Sequence, residues 1–213
     1  MNTRKPVVAG QFYSETNKGC IEEIESCFAE ADFKADLPKQ IKGGIVPHAG
    51  WVFSGNLAAA VFSAIKKTNT DVDTFVIFGA AHRYMGQNAG LYDKGKWQTP
   101  LGDVEIDEKL ASEFLNIENV DPDRQCHISE HSIEVQVPFI QYLFPEAKIV
   151  PIMVPPAKAD VRIGRDIGRV IANKTDKKIV CIASSDLTHY GPNYGFCPHG
   201  SGRKGIQWAK DVN

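Results

Sequence analysis

The chain has 213 residues, a formal net charge of −2, 43% apolar residues and 23% charged residues. This length and apolar content support one sizeable α/β core and argue against disorder. The near-neutral charge excludes a broad basic surface for nucleic acid, and no apolar run is long enough to span a membrane.

The expected organisation is a single domain over residues 1–213, with no internal repeat and no low-complexity linker. MNTRKPVVAGQFY at the amino terminus lacks the apolar stretch and cleavage site of a signal peptide. The odd set Cys20, Cys27, Cys126, Cys181 and Cys197 contains no CxxC pair. Reduced thiols in a cytoplasmic protein are the expectation.

In chain order, Asn17–Ala31 carries apolar groups at helical spacing. Ile41–Val46 reads as a buried strand. Ser54 is the expected N-cap of a helix through Lys67, with Leu57, Val61, Phe62 and Ile65 facing inward. Thr74–Phe78 is a strand of β-branched and aromatic residues. Ala89–Tyr92 and Val104–Ile106 read as short strands of a hairpin about the turn WQTPLGD. Asp107 is a cap for a helix through Leu115. Ile133–Phe144 has a helical pattern, in which Pro138 implies a kink or a late start. Lys148–Val154 is strand-like, Val161–Ile171 helical, and Lys178–Ala183 the last strong strand. This alternation predicts an α/β fold: a central, mostly parallel or mixed sheet with helices on both faces.

Three of the six histidines each close a strand-like run: IKGGIVPH at His48, TFVIFGAAH at His82 and KIVCIASSDLTH at His189. Ligands of open α/β sheets bind beyond the carboxyl ends of the strands. A metal or acid–base site at that edge is therefore the leading expectation. In PHAGW, His48 is a metal ligand or a loop histidine bonded to backbone. In GAAHR, Arg83 beside His82 is suited to an anionic substrate. In SSDLTHYG, Asp186 near His189 would fix the imidazole tautomer and raise its basicity. Ser184 and Ser185 lack the flanking glycines of a nucleophile elbow. CHISEHSIE resembles a zinc helix, but no glutamate directly follows His127. Ser129 is the better N-cap there, and Glu130 reads as a carboxylate favoured by a helix N-terminus. His131 and Glu134 belong to a supporting shell or a helix start. Cys197-Pro198-His199 reads as part of a flexible loop.

PHAGWVFSG, FGAAHR, EHSIEVQVPF and SSDLTHYG, in this order and spacing, resemble the Memo family, the B protein of the AmmeMemoRadiSam system. The resemblance begins at VVAGQFYS and covers most of the chain. It implies a fold similar to that of the class III, extradiol-type non-haem iron dioxygenases, which use two histidines, a carboxylate and a further acid–base histidine. Carried over by motif, His48 and His82 would be metal ligands and His189 the acid–base group, with Asp186 and His131 lining the same pocket. The metal would be Fe2+ or copper. The family's third ligand is a later cysteine that lies beyond Asn213, and none of the five cysteines here occupies its place; Cys197 is the nearest and His189 the other substitute. The expected function is a redox enzyme with a mononuclear metal. The alternative is a binding protein that uses the same pocket for a small anionic molecule or a phosphopeptide. Metal-assisted hydrolysis could use the same residues. The system name associates such chains with a radical SAM protein.

Overall fold

The computed structural model describes residues 3–31, 36–83, 86–155 and 160–212. The mostly parallel sheet expected from the alternation is present. It has six strands: β2 (Gly43–Val46), β3 (Thr74–Ala80), β4 (Ala89–Leu91), β7 (Val120–Pro122), β8 (Lys148–Val154) and β9 (Ile179–Ser184). Their spatial order is β2-β9-β3-β8-β4-β7. β2, β9, β3 and β8 run parallel, whereas β4 is antiparallel to β8. A small second sheet joins β1 (Thr3–Arg4), β5 (Lys96–Thr99) and β6 (Gly102–Glu105).

Helix α2 (Trp51–Thr68) connects β2 to β3, and α5 (Asp160–Ala172) connects β8 to β9. The two crossovers travel in opposite directions across the sheet. Right-handed connection therefore sets α2 and α5 on opposite faces. Helices α1 (Asn17–Glu30) and α4 (Val137–Leu143) pack with α2, while α3 (Glu108–Phe114) packs with α5. The central strand β3 is covered on both sides, with Phe75, Val76 and Ile77 fully buried.

Most expected elements occur near their expected positions, each for a visible local reason. Thr16 caps α1 by accepting from the Gly19 amide, and Cys20, Ile24 and Cys27 form its buried stripe. Asp107 caps α3 by accepting from the Leu110 amide. Pro138 produces the late start: a 3-10 turn over Glu134–Gln136 precedes α4.

Four local expectations are corrected. Helix α2 begins at Trp51, not after Ser54, because Trp51 is anchored by its main-chain N–H to Phe12 O and its indole N–H to Val135 O. The Ser54 hydroxyl instead donates to Ala49 O from a buried position. Leu57 is 60% exposed, because Ala58, Ala59, Phe62 and Ile65 take the inner face. The hairpin pairs Trp97 with Val104, so the WQT of the expected turn is itself a strand, and Ala89–Leu91 joins the main sheet. Gly102, at φ +120°, permits that tight reversal. Ser129 caps no helix; His127 closes a 3-10 turn (Gln125–His127) and is fully buried.

The strand registers matter for function. Val46 of β2 pairs with Ser184 of β9, and Ser184 also lies opposite Gly79 of β3. Three adjacent parallel strands thus end in one row, just before His48, Asp186 and His82.

Candidate metal centre

The chain leaves that row in three loops, and a fourth segment, Glu130–Ser132, is hydrogen-bonded to Ala80, His82 and Ser184. His48, His82 and His131 converge there. Their nearest ring nitrogens all lie within 4.8 Å of one another, a group that could hold a metal ion. The ring centroids are 5.1 Å apart for His48–His82, 5.6 Å for His48–His131 and 4.6 Å for His82–His131. His48 is buried, while His82 and His131 are partly open to a cleft of about 610 Å3, also lined by Val8, Phe12, Arg83 and Ile128. A larger cleft of about 700 Å3 between the Gly10–Thr16 loop, α1 and α2 contains none of these histidines.

Hydrogen bonds decide which nitrogen His82 and His48 offer. Glu130 Oε1 lies 2.9 Å from His82 Nδ1, and Oε2 accepts from the His82 amide at 2.9 Å. An ionised carboxylate only accepts, so His82 Nδ1 carries the proton and Nε2 is free. Burial would raise the Glu130 carboxyl, but the amides of Ser132 and His82 and the His82 ring overcome it and hold it down to about 2. At His48, the Ser184 hydroxyl gives its one proton to Ser132 O at 2.5 Å and accepts from Gln136 Nε2 at 3.0 Å. Its remaining contact, 3.4 Å to His48 Nδ1, must be a weak bond donated by the imidazole.

His48 Nε2 is then the unprotonated nitrogen. It is buried and has no hydrogen-bond partner among the described residues; Asp186 Oδ2 at 3.7 Å is too distant to serve. Burial pushes the His48 imidazole below its ordinary value, against the opposing pull of Asp186, and burial also lowers His131. Metal ligation requires neutral imidazoles. An orphaned, neutral, inward nitrogen beside two further imidazoles fits a borderline metal ion.

Asp186 ties the remaining strand-end loop to this group. Its Oδ1 accepts from the His48 amide at 2.8 Å, and its Oδ2 lies 3.4 Å from His189 Nε2. His189 itself is half exposed, lies beside the tilted ring of Tyr194 and is outside the close three-histidine group. Cys197 is a partly buried free thiol outside it as well. The structure therefore gathers His48, His82 and His131, and hangs His189 at the rim through Asp186.

Segment 130–134 is held from behind by the amino-terminal strand. Arg4 and Glu134 are both buried and pair at 2.8 Å. Arg4 also donates to the carbonyls of His127 and Glu130 at 2.8 and 2.6 Å. Glu134 accepts from the amides of Val7 and Val8 and from the Tyr13 hydroxyl. The orienting roles of Glu130, Ser184 and Gln136 were not evident from the sequence. A carboxylate next to a histidine was the one available signal, at Glu130. A serine and a glutamine that act through backbone carbonyls leave no pattern.

The model of the family described as Memo-like protein matches residues 4–211. A MEMO1 family protein of Thermococcus onnurineus is 41% identical over 203 residues, covering 92% of this chain and 68% of that protein. A MEMO1 family protein of Pyrococcus abyssi is 40% identical over the same shares, and one of Caldivirga maquilingensis is 41% identical over 91% of this chain and 71% of its own length. The chain belongs to the Memo-like protein family. The four motifs that carried the resemblance are the segments that build the histidine cluster. In this Memo-like chain PHAGW supplies His48, GAAHR supplies His82, EHSIE supplies Glu130, His131 and Glu134, and SSDLTHYG supplies Ser184, Asp186 and His189.

Proposed function

We propose that this Memo-like chain holds one redox metal ion, iron as Fe2+ or else copper, at His48, His82 and His131, and serves an oxidoreductase reaction. The observation that carries this reading is the buried, unpartnered Nε2 of His48 in a group of three imidazoles whose ligand atoms lie within 4.8 Å of one another. Three neutral nitrogen ligands leave coordination positions open, and the ion would supply Lewis acidity and one-electron chemistry to a substrate bound there. The protein's own residues do the rest. Glu130 and Ser184 orient the ligands. The cleft beside His82 and His131 admits the substrate, and Val8, Phe12 and Ile128 give it an apolar wall. His189, held by Asp186 yet half exposed, moves a proton at Nε2 between the site and solvent. The dioxygenase-like fold implied by the resemblance agrees with the sheet-edge position of the group.

Metal analysis of the purified protein tests this. Wild type should carry close to one iron or copper per chain, and the pair His48→Ala and His82→Ala should carry none. His131→Ala should lose most of it. Unchanged stoichiometry in all three would overturn the ligand set. Arg83 lines the same cleft and pairs with no acid among the described residues, which favours a second reading, capture of a phosphorylated or other anionic ligand without turnover. Metal-free wild type that binds a phosphopeptide in calorimetry, and loses it with Arg83→Ala, would support that reading instead.

A further inference from the structure

We propose that Glu130 is the positioning residue of this centre: it fixes the tautomer of His82 and clamps His131 so that both imidazoles face one point. This rests on the reading of the three histidines as a ligand set. The Glu130 side chain is 4% exposed and its carboxylate faces four N–H donors, three of them on Oε1. Oε2 takes the His82 amide, and Oε1 takes His82 Nδ1 together with the amides of His131 at 2.8 Å and Ser132 at 2.9 Å. His131 Nδ1 is a further 3.3 Å neighbour of Oε1.

Main chain and ring of His82 are bound by the same carboxylate, so both the backbone position and the ring orientation of that ligand are set by one group. The His131 amide meets the same oxygen, so the two imidazoles cannot shift independently; their planes lie only 23° apart. The clamp also reaches the third histidine, because Ser132, whose amide binds Glu130, offers the carbonyl that takes the Ser184 proton beside His48. Glutamine cannot replace glutamate here. Its amide has one acceptor oxygen, and its NH2 would face an N–H.

The decisive experiment compares wild type with Glu130→Gln, using Co2+ as the probe in a competition titration and long-range 1H–15N spectra of the metal-free protein. The His82 signals are assigned by comparison with His82→Asn. Wild type should show His82 as the Nδ1–H tautomer. Glu130→Gln should weaken Co2+ binding about 10- to 100-fold and mix or invert the His82 tautomers. Glu130→Asp, tested alongside in case the glutamine variant does not fold, should keep the Nδ1–H tautomer while weakening Co2+ binding less. A folded Glu130→Gln protein with wild-type affinity and tautomer overturns the proposal, as does a wild-type His82 carrying its proton on Nε2. Wild type that binds no Co2+ overturns the ligand set, and the tautomer spectra then judge Glu130 separately.

Discussion

Among the individual residues, His127 and His131 make the sharpest contrast. Both come from the same short motif, yet His131 joins the cluster and His127 is sealed between Tyr92 and Trp97, donating from Nε2 to Gly90 O while Nδ1 has no hydrogen-bond partner among the described residues. Burial pushes the His127 imidazole down to about 3. The unfolded chain takes up that proton near the ordinary value of about 6.5. His127 therefore stabilises the fold fully above pH 6.5, and that stability is lost as pH falls from there toward 3. Between pH 7 and pH 5 the loss from this one group amounts to about 2 kcal/mol. Urea unfolding at the two pH values checks this: His127→Asn, which can still donate to Gly90 O, should show a pH dependence smaller by about that amount. The sequence separated the two histidines only partly. It placed His131 in the pocket by resemblance and left His127 outside a helix that does not form. Which of two histidines four residues apart is sealed depends on β4 and β5 arriving from elsewhere, and residue spacing holds no record of that.

The segments themselves were largely legible because hydrophobic period reports burial. Strands β3, β8 and β9 are apolar on both faces and were readable as continuous runs, and α1 and α5 by their stripes. The misreadings have one physical origin: long-range contacts outweighed local signals. Trp51 bonds to Phe12 and Val135, and this starts α2 ahead of its best-looking cap. The strand-end positions of His48 and His82 were legible for the same reason the strands were. The third donor was not, because His131 lies on an irregular segment held in place by contacts distant in sequence. The amino-terminal strap is the clearest such contact. Arg4, buried with Glu134, binds the carbonyls of His127 and Glu130, just ahead of His131. Removing one partner of a buried pair costs about 3–5 kcal/mol, since the other charge is left in the interior. Arg4→Ala should lose stability in that range in denaturant unfolding. Hydrogen exchange should show the amides of residues 127–136 losing protection before those of β3.

For the whole molecule, the arrangement ties ligand binding to completion of the fold. His48, His82 and His131 follow three separate excursions of the chain and meet only when β2, β9 and β3 lie side by side. The unfolded chain has no comparable site, so an ion bound by the proposed set favours the native state by mass action. At a free concentration 100 times Kd the gain is about 2.7 kcal/mol. The urea midpoint of wild type should rise on adding Co2+, and that of His48→Ala should not move.

The aligned row of Val46, Ser184 and Gly79 gives the molecule an internal checkpoint. A slip of β2 against β9 by one residue would carry His48 to the other side of its strand and away from its two companions. The first moment at which the three imidazoles can share a ligand is thus the moment at which three non-sequential strands have found their correct alignment. Capture of an ion would then mark the end of assembly, and a chain that reached the right shape with the wrong alignment would be left unable to hold one.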